Sequence, residues 1–359
     1  MATGGASCPV SSYLAGKAVT KGKGLSAAGL ATLAQLAKGN NDTSEDCLTL
    51  NVWTRPQTRD EKKAVVIWVH GKGYTTGSSS DPVYDGQFIV NEQDIILVTF
   101  NYRMNIFGSP NPHWRFCCFA YVDDPIISGI ALLSGTTSLS GWDPDSLPKA
   151  DRDWNSLSPA CATKPPPRSL PPFQSPLTRS KAFFPNNDGK TVFSDYYELA
   201  RTGKFIKVPL LIGNTDDETA YHRTMADVFA PSYGYGQTNY DNERRNYYIC
   251  PASERVRHTT DLGVPTWRYG YFGDFKDARL TTAAHGRAYH DSDDADELKL
   301  ANYARGALAA FARNPKTGLK TYRWPQYNPK TKSLVQLGKD NKVGTFTVTP
   351  AAFDTGCLY

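Results

Sequence analysis

Apolar residues gather along this chain in short runs separated by polar, glycine-bearing turns. Residues 64–69 (AVVIWV) and 95–100 (IILVTF) are too continuously apolar for a strand with one wet face, and read as buried strands. Residues 208–212 (VPLLI) read as a third. The turns that follow are His70-Gly71-Lys72-Gly73, Asn101-Tyr102-Arg103 and Gly213-Asn214. The stretch GSSSDPVYDG between the first two strands reads as loop. Residues 298–313 carry apolar side chains at 300, 304, 307, 308 and 311, one face of a helix, and Asn314-Pro315 stops it. Leucines at 30, 33 and 36 give residues 27–37 a helical spacing. Strands ending in polar, glycine-rich loops predict an α/β sheet whose functional residues sit at the strands' carboxyl ends.

Two stretches break the pattern. Residues 141–180 form an irregular segment, with seven prolines in the 18 positions from Pro159 to Pro176. No regular element survives that density. Residues 113–120 (HWRFCCFA) have adjacent cysteines and no period. Composition adds bounds. The 359 residues are 40% hydrophobic and 12% aromatic, enough for a sizeable core and against wholesale disorder. Lys plus Arg is 40 and Asp plus Glu 35, scattered without a basic block, so a nucleic-acid partner has no support. The apolar stretch 126–133 is too short to span a bilayer. Residues 1–20 show no signal peptide. Seven cysteines are present, at 8, 47, 117, 118, 161, 250 and 357, none at zinc spacing. Asn41-Asp42-Thr43 fits the N-glycosylation sequon.

Residues 44–54 (SEDCLTLNVWT) closely resemble the E-D-C-L-x-L-N-V signature of the type-B carboxylesterases, the cholinesterase-like family. VVIWVHGKGYTTGSSSDPVYDGQFI then resembles that family's oxyanion-loop region, and ILVTFNYRMNIFGSP continues in order. Later pieces, among them YVDDPIISGIALLSGTTSL, KVPLLIGNTDDET and CPASERVRHTTDLGVPTWRYGYFGDF, keep the order, in the style of fungal members. The resemblance implies an α/β-hydrolase fold: a central, mostly parallel sheet flanked by helices, as a single domain over residues 1–359. It implies hydrolysis of small-molecule carboxylic esters through an acyl-enzyme, with the triad order Ser…Glu…His and no cofactor or metal.

The resemblance assigns the catalytic acid to Glu218, in Gly213-Asn214-Thr215-Asp216-Asp217-Glu218, where three carboxylates crowd one turn. It assigns the base to His290, in Ala288-Tyr289-His290-Asp291-Ser292-Asp293, with His285 of Ala284-His285-Gly286 as the alternative. His70 reads as a support of loop geometry. The oxyanion donors are the N–H groups of Lys72 and Gly73, with lysine where the family has glycine. A Cβ and charged stem at that position threaten the oxyanion hole.

The nucleophile has no counterpart. No G-x-S-x-G stands anywhere in the chain. The sequence passes from Pro110 through HWRFCCF straight to AYVDDPIISG, so the elbow and its central strand are expected to be missing around residues 110–120. The fold is therefore expected to be incomplete. Without the serine, this chain is expected to be inactive as an esterase.

By resemblance, Cys47 closes the family's first disulfide loop, with Cys8 a plausible partner, and Cys250 and Cys357 bracket its last. Such bridges imply a secreted, extracellular protein whose true N-terminus is also missing. Cys117, Cys118 and Cys161 are left over, and the first two, in the aberrant segment, read as accidental. The favoured reading is a truncated product or faulty gene model of an active secreted esterase. A non-catalytic cholinesterase-like binding or adhesion protein is the alternative, and loss of a central strand argues against it. A divergent hydrolase using another serine is the third reading.

Overall fold

The computed structural model describes residues 5–9, 26–27, 29–30, 43–57, 60, 62–71, 77–104, 108, 122–123, 125–135, 189–190, 192–220, 237–275 and 295–357. The segment HWRFCCFA, the proline-rich stretch and most of the expected helix over 27–37 lie outside them. Residue contacts divide the chain into two compact units. Unit 1 is Met1–Ala18, Gln35–Ala120 and Gly141–Tyr196; unit 2 is Val19–Ala34, Tyr121–Ser140 and Tyr197–Tyr359.

Unit 1 carries β1 (Leu50–Trp53), β2 (Val65–Val69), a 3-10 turn (Pro82–Tyr84), α1 (Gln87–Gln93) and β3 (Ile96–Phe100). β3 is central, antiparallel to β1 with Leu50 opposite Phe100, and parallel to β2 with Val65 opposite Ile96. α1 starts where Asp85 Oδ1 accepts from the Gln87 N–H, and ends on Asp94, left-handed at φ 46°. One face of β3 buries Leu97 and Thr99. The other face differs from expectation. Leu50, Val52, Val65 and Ile67 are each more than half exposed, so β2 is not the doubly buried strand its run of apolar residues predicts. Side chains of β1 and β2 are exposed together on this face, so among the described residues no second layer covers it.

A polar hub fastens the ends of this sheet. Asn101, buried just past β3, accepts at Oδ1 from the Ser79 N–H at 2.8 Å and from the hydroxyls of Ser78 and Ser79. Its Nδ2 donates to the Ala6 carbonyl at 3.1 Å and to Thr49 Oγ1. A buried side-chain amide with several partners is both satisfied and tightly oriented. The Cys8–Cys47 disulfide ties the same strip to the approach of β1.

Unit 2 carries β4 (Ile130–Leu133) and, from the boundary onward, α2 (Tyr196–Arg201), β5 (Leu210–Thr215) and α3 (Gln237–Arg244). A π-helical turn (Arg245–Ile249) leads into α4 (Cys250–Asp261). Then come β6 (Thr266–Tyr271), α5 (Ala295–Arg313), β7 (Leu334–Leu337), β8 (Phe346–Val348) and α6 (Pro350–Phe353). The five strands lie in the order β4-β5-β6-β7-β8, parallel except for β8. All six residues of β5 are buried, as a central parallel strand requires. Leu211 packs with Trp267, Leu300 and Phe311, while Leu210 and Ile212 pack with Ala252 and Val256 of α4. The core thus lies on both faces of β5 and β6.

Two element boundaries move. β5 runs on through Gly213-Asn214, which the sequence places in the following turn, because the ladder to β6 continues as far as Thr215 opposite Tyr271. The Tyr269 ring covers Gly213 so closely that a Cβ there would lie 2.4 Å from it, so only glycine fits. α5 begins at Ala295 rather than 298, adding Asp296 and Glu297, whose charges suit a helix N-terminus. Behind β6, Arg268 is fully buried and donates to Asp354 at 2.6 Å, and Ser253 donates to the same oxygen. The Cys250–Cys357 disulfide closes this side. Among the described residues no strand lies between β3 and β4 along the chain.

Candidate active site

Glu218 sits in the turn after β5, and Ser134 in the residue after β4, at the carboxyl ends of two adjacent parallel strands. Glu218 Oε1 accepts from the Thr215 N–H and from the Ser134 hydroxyl, both at 2.5 Å. Ser134 is left-handed at φ 58°, and its N–H donates to the Gly213 carbonyl at 2.7 Å. The chain bends there in a conformation few non-glycine residues adopt, and the bend directs the hydroxyl at the carboxylate. Bonds to an ionised acceptor are among the stronger hydrogen bonds. Glu218 Oε1 is therefore held by two donors from two strand ends.

The three crowded carboxylates of the sequence separate cleanly. Asp217 is buried and accepts from Thr219 Oγ1 at 3.0 Å. Asp216 turns to Arg244, which donates to its carbonyl at 2.8 Å and stands 3.7 Å from its carboxylate. Only Glu218 is joined to the neighbouring strand end by Ser134. Burial pushes the Tyr269 phenol far above its usual range, and the Glu218 charge adds to that shift. Tyr269 thus stays a neutral, apolar-sided wall near the carboxylate.

In unit 1, His70 ends β2 and is 1% exposed. Its ring stacks on Tyr102 with centroids 4.2 Å apart, and Tyr102 Oη donates to the His70 carbonyl at 2.9 Å. Gly77 approaches from the far end of the loop at φ +110°, and a Cβ there would meet His70 Nδ1 at 2.6 Å. His70 is thus packed between Tyr102 and Gly77, and most of the loop it was expected to support lies outside the described residues. Lys72 and Gly73 lie outside the described residues, as do His285, His290 and Asn41. His258 lies on α4, edge-on to Tyr197 and 3.7 Å from Glu254.

Two long-range tertiary supports escape a reading of the sequence. Ser134 is visible in it only as part of Ser134-Gly135, and its bond to Glu218 spans 84 residues. Asn101 shows as a polar turn residue, while its partners are spread from Ala6 to Ser79. The chemistry available is that of a held carboxylate able to orient a base. The G-x-S-x-G nucleophile is absent from the sequence itself.

Comparisons with known proteins bear on the family and the fold. Residues 11–109 match the carboxylesterase family. Acetylcholinesterase-1 of Trittame loki is 45% identical over 78 residues, 21% of this chain and 14% of that protein. The cholinesterase of Mus musculus is 45% identical over 69 residues, 19% of this chain and 11% of its own length. The acetylcholinesterase of Danio rerio is 44% identical over 69 residues, again 11% of its length. The matched stretch is thus a small part of each of these relatives. Among solved structures, a thermophilic PNB esterase superposes with a TM-score of 0.68 at 16% identity, covering 99% of this chain and 88% of that one. The fold is that of the α/β-hydrolases.

Proposed function

Because residues 11–109 are carboxylesterase-family sequence, we propose that this chain carries the acid–base half of a serine carboxylic-ester hydrolase, in one α/β-hydrolase domain. Glu218 is the acid and His290 the base, with His285 the alternative. The N–H groups of Lys72 and Gly73 are the oxyanion donors. A small-molecule carboxylic ester is the substrate class. The observation that carries this reading is the fastening of Glu218, at the end of β5, by the Thr215 N–H and the Ser134 hydroxyl. A carboxylate held in this way fixes the tautomer and orientation of a histidine and stabilises the imidazolium that forms during proton transfer. The two disulfides support an oxidising, extracellular setting. The binding or adhesion alternative gains nothing from the relatives, whose names are those of esterases.

Acyl transfer needs a nucleophile, and no elbow serine stands in this sequence. The base then has no alcohol to deprotonate, and ester turnover falls by orders of magnitude. The test is labelling of the full chain with a serine-directed fluorophosphonate, beside hydrolysis of p-nitrophenyl butyrate. Neither labelling nor hydrolysis above background is expected. Stoichiometric labelling overturns the reading, because it requires an activated serine. Sequencing the transcript across the codons for residues 105–125 checks its origin. An omitted segment encoding G-x-S-x-G is expected there, and an uninterrupted frame excludes derivation from an active esterase by loss of that segment.

A further inference from the structure

Unit 2 holds a cavity of about 440 Å³ that the ester chemistry does not use. Arg244, Arg245 and Asp216 make its polar end, and Ile249, Phe272 and Phe353 line its apolar part. The charges there do not cancel pairwise. Arg244 is tied to Asp216, and Asp241, also on the wall, has a partner of its own. Arg245 has neither an ion pair nor a side-chain hydrogen bond among the described residues, although it is half-buried.

The position of Arg245 is nevertheless fixed. Its guanidinium lies against Gly356, where a Cβ would come within 3.2 Å of Nε and Cζ. Gly356 has φ +83°, so glycine is required there on both counts. The next residue, Cys357, is bonded to Cys250, which directly follows the π turn that begins with Arg245. Single π turns recur at functional sites, where they re-aim side chains. The cross-link therefore holds two sides of the cavity together and presents a preformed cation.

We propose that this cavity binds a small organic anion with an apolar body, a medium-chain or aryl carboxylate, with its carboxylate on Arg245. A guanidinium offers a planar fork of N–H donors that a carboxylate matches in two bonds. The apolar walls cover the body of such a ligand, and the volume falls in the range of small-molecule sites. A bare inorganic anion leaves those walls uncovered, a neutral alcohol leaves Arg245 unpaired, and an amine is repelled. The inference is independent of Glu218 and of any nucleophile.

The test is calorimetric titration of the full chain with octanoate, octanol and octylamine. Octanoate is expected to bind at one site, at least about tenfold more tightly than octanol, with no octylamine binding. Arg245→Met should weaken octanoate by about tenfold or more and leave octanol unchanged. Ala352→Trp fills the cavity from an exposed wall position, which the fold tolerates, and should abolish octanoate binding. Equal affinity for octanol and octanoate overturns the proposal. So does undiminished octanoate binding in either variant.

Discussion

Replacing Asp354 by alanine removes the carboxylate that Arg268 reaches at 2.6 Å. Arg268 is fully buried and Asp354 nearly so, so neither charge is relieved by water. In the variant, the guanidinium keeps the Ile249 carbonyl, at 3.4 Å, as a weak acceptor, and Ser253 loses its short bond. Breaking a buried pair by removing one partner typically costs about 3–5 kcal/mol, because a charge is left uncompensated. That is a large share of a whole domain's stability, about 5–15 kcal/mol. Removing both charges is a different perturbation. Arg268→Met with Asp354→Ala leaves no orphan charge and should recover most of the loss, since such pairs are often near-neutral against apolar replacements. Urea unfolding followed by tryptophan emission, to which the fully buried Trp267 beside Arg268 contributes, reads both changes. A loss below about 1 kcal/mol in Asp354→Ala, or no recovery in the double variant, refutes the reasoning.

Ser134→Ala should destabilise the protein by about 1.5–3 kcal/mol, the range for a hydrogen bond to a charged group, measured by the same unfolding. The left-handed bend persists in alanine, so Ser134→Gly should lose less than Ser134→Ala. The Cys250–Cys357 bridge spans 107 positions and Cys8–Cys47 spans 39, so the chain-entropy picture gives about 5 and about 4 kcal/mol. Paired Cys→Ala variants, compared by urea midpoint, should rank in that order. Burial lowers the His258 pKa, and Arg257, Arg255 and Arg201 assist against an opposing Asp261. The unfolded chain then binds the proton more readily. The stability His258 contributes is intact above about pH 6.5 and falls as pH drops from there to its folded value. His258→Gln should flatten that part of the stability–pH curve.

What was legible in the sequence was local. The runs VVIWV and IILVTF announce strands, and the spacing over 300–311 announces a helix, because those signals need only neighbouring residues. The place of Glu218 just past a strand was legible because its segment follows one, and the cysteine pairings followed the family resemblance. Arg268 was not. A charge inside WRYGYF reads as a wet position, and its partner stands 86 residues later. Ser134 and Asn101 share that blindness, since their partners come from other strands or the N-terminal strip. The exposure of Val65 and Ile67 was likewise invisible, because a strand's own residues do not say whether another layer covers its face.

That last feature reaches beyond the fold. β2 reads Val-Val-Ile-Trp-Val, without a charge, and leaves one side of its backbone without a strand partner among the described residues. Natural edge strands are blunted by charge, proline or a bulge, and this one has none within its span. Lys62 and Lys63 stand only at its entrance, and Lys63 is spent on Asp94. Among the described residues that edge is unpaired, a template on which extended apolar peptide can add. Loss of soluble chain that grows with protein concentration is the expected sign of such pairing.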